Sequence, residues 1–155
     1  MNLLEQLVLS SLQWLCVHGE LKSAPLGDRT IQAKVELKLR PEVHVQSEAG
    51  RHYPLMARAE VVGTCEGETD RIEVFSLELT LRATYRFQQG EPISDEAFSE
   101  HHASLARQIY PLMHMRLNQL LLELGIPHVT LPPDLAHPNH SGLAGTMPAE
   151  GQLVH

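Results

Sequence analysis

The stretch IYPLMHMRLNQLLLELGIP (residues 109–127) constrains the fold of this chain more than any other. It reads as a helix in which Leu112, Met113, Met115, Leu117, Leu120, Leu121, Leu122 and Leu124 cover well over half the circumference. A surface helix needs one apolar stripe, so a helix apolar on several sides has to be covered on several sides. One small sheet covers one side. The remainder calls for a second subunit, a bound apolar partner, or both. Gly125 is placed to cap the helix, Ile126 to make the apolar contact that accompanies such a cap, and Pro127 to stop it.

Ahead of this helix the chain has a period of two. In IQAKVELKLRPEVHV (31–45), Ile31, Ala33, Val35, Leu37, Leu39, Val43 and Val45 point one way and the polar residues the other. Such alternation marks a half-buried strand, and Pro41, which cannot donate to a ladder, marks an edge, bulge or bend that divides it. A turn around 47–50 leads to a second strand over 52–65, and the turn 66–70 leads to a third over 71–87. There Phe75, Leu77, Leu79, Leu81, Ala83, Tyr85 and Phe87 share one face. Short connections favour an antiparallel meander or Greek key. Residues 12–21 can supply a fourth strand, although Val8, Leu9, Leu12 and Leu15 equally permit helical turns. Ser94 is a good N-cap, with Asp95 and Glu96 at the positive end of the helix that follows. Pro111 predicts a kink, or a break into two helices, near Tyr110. Strands followed by helix make the class α+β: a four-stranded antiparallel, Greek-key-like sheet, then a long kinked C-terminal helix.

At 155 residues the chain makes one domain, over residues 1–135, able to bury roughly 68–70% of its unfolded surface. The tail, 136–155, is Gly, Pro, His and small residues without periodicity, and is expected to be disordered. No apolar run approaches the ~20 residues of a membrane span. The apolar N-terminus lacks the basic residues of a secretory signal, so a cytoplasmic location is expected. Twelve basic against nineteen acidic residues, a net charge of −7, argue against nucleic acid, which needs clustered Lys and Arg.

Chemistry-bearing constellations are missing. Cys16 and Cys65 form no CxxC pair and read as packing residues. His101 and His102 diverge on a helix, and His114 has no acidic or histidine neighbour at i, i+4, so no metal is expected. There is no G-x-S-x-G turn and no Gly-rich phosphate loop. The sequence therefore nominates no catalytic residue and no cofactor.

Order of elements and several short motifs resemble the SecB family of export chaperones. The matching pieces are Pro41-Glu42-Val43 in a strand, Tyr110-Pro111 at the helix break, Leu124-Gly125-Ile126-Pro127 at its end, and Val129-Thr130-Leu131-Pro132-Pro133 beyond. The resemblance runs from about Ile31 to Leu135. Leu112, Met113 and His114 replace polar positions usual in the family, and no second apolar helix follows Leu135. In both respects, and in the connection 89–92, the chain is closer to SecB-like chaperones that guard antitoxins in toxin–antitoxin–chaperone systems. The resemblance implies an ATP-independent holdase, assembled as a tetramer of paired dimers, whose partners are unfolded polypeptide clients, an antitoxin among them.

The expected client groove is formed by Leu37, Leu39, Phe75, Leu77, Leu79, Tyr85, Leu112, Met113 and Met115. An adaptable apolar surface of Leu and Met repacks around varied partners. Two other readings stay open: an oligomeric adaptor whose apolar surplus is met by its own subunits, and a protein holding a small apolar ligand between sheet and helix.

Overall fold

The computed structural model describes residues 2–23, 30–67, 69–126, 129–133 and the pair Met147–Pro148. A 3-10 turn (Leu3–Glu5) precedes strand β1 (Leu7–Leu21); then come β2 (Gln32–Pro41), the short β3 (Val45–Ser47), β4 (Gly50–Glu66) and β5 (Arg71–Phe87). Helix α1 (Asp95–His101) passes through a 3-10 turn (His102–Leu105) into α2 (Ala106–Glu123), and Met147–Pro148 form β6. The sheet is antiparallel throughout, in the order β1-β5-β4-β2-β6, with β3 continuing the β2 side of β4. The four long strands β1, β2, β4 and β5 thus have Greek-key order, and two short strands are added to the four expected from sequence.

The alternation of apolar residues decides which face is covered. Ala33, Val35, Leu37 and Leu39 of β2, Leu55, Ala57, Ala59 and Val61 of β4, and Leu77 to Tyr85 at every second position of β5 are all buried beneath the helices. Pro41 ends β2 and Pro54 falls where the ladder passes from β2 to β3, so neither missing N–H interrupts a run of pairs. The interval is bridged by Glu42, whose N–H donates to the Pro54 carbonyl.

β1 departs from simple alternation. Its register against β5 slips between Leu9 and Ser11 and again between Trp14 and Cys16. Each bulge adds one residue and returns the next apolar side chain to the helix side. Leu12 and Trp14 therefore lie opposite Ala83 and Leu81, while Val17 and Leu21 lie opposite Leu79 and Phe75, all on the inner face. The helices cover this row only in part, Leu124 coming close to Gly19, and Leu12, Trp14, Leu15, Val17 and Leu21 remain about 40% exposed.

α1 starts as its sequence implies, the Ala97 N–H donating to Ser94 Oγ. Asp95 Oδ1 accepts from the His44 backbone N–H at 3.0 Å and both its oxygens lie 3.0 Å from the His44 ring. These bonds pin the β2–β3 connection to the helix start. The His44 N–H, chiefly, holds the Asp95 carboxyl below its ordinary 3.8. A depressed folded-state value means the contact stabilises above the ordinary value and is lost as pH falls through the lowered one. Asp95→Asn should accordingly lower Tm by a few degrees at pH 7, and the gap from wild type should close below pH 3.8 in melts followed by circular dichroism.

The helical break occurs at His102–Leu105, earlier than the expected position near Tyr110. Pro111 is carried inside α2, where its ring opposes the carbonyl of Arg107, and the chain tightens one turn before that point. At the other end Gly125 takes φ +79°. The Gly125 N–H donates to the Leu122 carbonyl and the Ile126 N–H to Leu121, a Schellman cap with Ile126 fully buried. Pro127 lies outside the described residues. Val129 and Leu131 are buried, and the Tyr110 hydroxyl donates to the Pro132 carbonyl at 2.7 Å, strapping this segment along α2.

Of the helix's apolar surplus, little is left open. Ile109, Tyr110, Met113, Leu117, Leu120 and Leu121 are buried, and only Met115 and Leu122 among its large apolar residues are exposed. The expected uncovered surface is mostly on β1 instead. The tail, 136–155, lies outside the described residues apart from Met147–Pro148.

Candidate functional site

Seven of the nine residues expected to line a client groove are closed inside the protomer. Leu37, Leu39, Phe75, Leu77, Leu79, Tyr85 and Met113 are each at most 3% exposed and pack between sheet and helices. Leu112 is half-buried, and Met115 is 64% exposed. Tyr85 shows how closed this layer is: its hydroxyl is buried without a hydrogen-bond partner among the described residues, and burial raises its pKa well above the ordinary 10.0.

Open surface is found at the two sheet edges. β1 is one, with its bulged backbone and uncovered apolar row. β2 is the other. Its inner ladder is taken by β4, while on the outer side Lys34 and Val35 pair with Pro148 and Met147. Beyond that short pairing the backbone from Glu36 to Pro41 has no strand beside it among the described residues.

A cavity of about 710 Å³ borders this free stretch. Lys38, Leu39, Arg40 and Pro41 line it consecutively. Because successive strand side chains point to opposite faces, the cavity must run along the strand edge and touch both. Met56 and Arg58 of β4 contribute from the outer face, and Ser99, Glu100 and His102 from the end of α1 and the 3-10 turn. The break between α1 and α2 thus sets one wall of the cavity. Its volume lies within the range of ligand pockets, and its walls mix apolar with positively charged groups. No three His, Cys, Asp or Glu side chains among the described residues converge as a metal would require. No helix among them is long and apolar enough to cross a membrane.

Of the nine expected groove residues only Leu39 lines this cavity, because a strand edge is created by topology rather than by periodicity. Pro41 was the one local signal, as a residue that belongs at edges.

The antiparallel sheet followed by a C-terminal helix is the SecB-like fold, and the chain has that fold. It is similar to a solved Mycobacterium tuberculosis SecB-like chaperone in complex with a ChAD peptide from the HigA1 antitoxin. The TM-score is 0.62 at 14% identity, over 84% of this chain and 92% of that one. No family model and no curated protein matches the sequence.

Proposed function

We propose that this protein is an ATP-independent chaperone that holds unfolded or partly folded polypeptides, acting in the cytoplasm as a homo-oligomer. The observation that carries the proposal is the β2 edge, which already accepts a strand from the chain's own Met147–Pro148 and continues into a cavity beside Lys38–Pro41. An extended client added there gains main-chain hydrogen bonds, and its alternate side chains enter the cavity. Main-chain pairing is blind to sequence, which suits a holdase. The solved neighbour's antitoxin peptide makes an antitoxin the first client to try. Protein export is the other role the fold allows.

Self-association is proposed at the opposite edge. An edge of fifteen residues whose inner face carries Leu12, Trp14, Val17 and Leu21 half-covered is an aggregation hazard unless it is paired. A second copy added along β1 would continue the sheet and cover the apolar row, and two such dimers would form the tetramer.

The test is suppression of aggregation of a chemically denatured client, without nucleotide. Light scattering should fall as the protein approaches stoichiometric amounts. If wild type holds none of several clients, including an antitoxin encoded beside its gene, the chaperone reading fails. The exposed β1 row would then favour the oligomeric adaptor.

A further inference from the structure

We propose that the β2 cavity selects client strands in which acidic and apolar residues alternate; this specificity rests on the client-binding reading above. The chain as a whole carries −7, yet three cations and one acid, Glu100, line this cavity. Lys38 and Arg40 have no carboxylate within ion-pair distance among the described residues. Arg58, directly opposite Lys38 on β4, is already held by Glu60 at 2.9 Å and Glu78 at 3.0 Å. The Lys38–Arg58 register places like charges face to face across two strands, an arrangement that destabilises a sheet. Glu36, the outer-face neighbour of Lys38 on β2, lies opposite Glu60, and Glu42 beyond Arg40 is held by Arg82 at 3.2 Å, so neither Lys38 nor Arg40 has an ion-pair partner among the described residues.

Lys38 and Arg40 are two residues apart and share the outer face, whereas Leu39 between them is buried on the inner face. A strand laid against this edge repeats the same alternation. Its outward side chains come beside Lys38 and Arg40, and its inward ones come beside Leu39 and the helical wall. Carboxylates fit the first set and apolar groups the second. Shifting such a client by one residue reverses both matches, so the register is selected along with the sequence.

The experiment uses full-length protein and fluorescent peptides of about ten residues, read by anisotropy. One alternates apolar residues with Glu, a second with Gln, a third with Lys, and a fourth has the first peptide's composition with its acids in one block. Two partly exposed ion pairs should make the alternating Glu peptide bind about three- to tenfold tighter than the Gln peptide. The Lys and block peptides should be weaker still. Added salt should erase the advantage, and the Lys38→Glu/Arg40→Glu variant should prefer the Lys peptide. Both positions are exposed, so circular dichroism should be unchanged in that variant. Equal binding of the Glu and Gln peptides would overturn the selectivity and leave the client reading standing. Failure of every peptide to bind would overturn both. Displacement of the Glu peptide by equimolar free glutamate would make the cavity a small-acid site and also overturn the proposal.

Discussion

Gly63→Ala is expected to lower Tm by about 6–12 °C, the consequence of about 3 kcal/mol of overpacking in a domain of this size. Gly63 lies directly opposite Phe75 in the β4–β5 ladder, just before a register shift. A Cβ built on it would sit 2.0 Å from Phe75 Cε1 and 2.5 Å from Cδ1 and Cζ. Phe75 is fully buried, so its ring has nowhere to retreat. The ring occupies the space that any larger residue at 63 would need, and the pairing of these two positions fixes the β4–β5 register at its far end. Combining Gly63→Ala with Phe75→Leu should recover part of the loss, since residues in contact are not additive. Melts followed by circular dichroism decide this; a shift under about 2 °C would mean the sheet adjusts with less strain than its packing implies.

Charges on β1 should have the second large effect, on assembly rather than on folding. Trp14 and Val17 are 38% and 39% exposed in the protomer, so Trp14→Asp with Val17→Asp should leave the fold intact. In a β1–β1 interface each carboxylate would be buried without a partner, costing about 3–5 kcal/mol. That weakens association by at least about a hundredfold. Sedimentation at micromolar concentration should show an oligomer for wild type and a monomer for the variant. A monomeric wild type would remove β1 pairing from the account.

Legibility in the sequence followed the regularity of the backbone. β5 was readable because Phe75 to Tyr85 alternate between a buried inner face and a more polar outer one, the phase breaking only at Val74, beside the register shift against β4. β1 was ambiguous for a physical reason. Its bulges at Ser10 and Leu15 insert residues into the period of two, and Val8, Leu9, Leu12 and Leu15 then imitate helical spacing. The cap at Gly125 was legible because a left-handed residue followed by a buried Ile is a local arrangement.

The site was much less legible. Leu37, Leu39, Leu77 and Leu79 carry the inward periodicity, and periodicity alone cannot say whether inward means core or groove. What covers them is the helical layer, placed across the sheet by the order of the elements, which is not written in any one segment. The helix was expected to need covering on several sides. The protomer itself supplies most of that cover, so the helix does not call for the second subunit or apolar partner expected for it, and the open apolar surface lies mostly on β1.

The central claim is that clients are taken as an added strand on β2. Hydrogen exchange by mass spectrometry, with and without a stoichiometric unfolded client, tests it most directly. In β2 the amides facing β4 are already bonded, whereas those of Glu36–Arg40 facing outward wait for a partner. Client binding should slow exchange in the outward set and leave β4 and β5 unchanged. Protection confined to β1 or to the Met115–Leu122 face of α2, with β2 exchanging as before, would contradict the account.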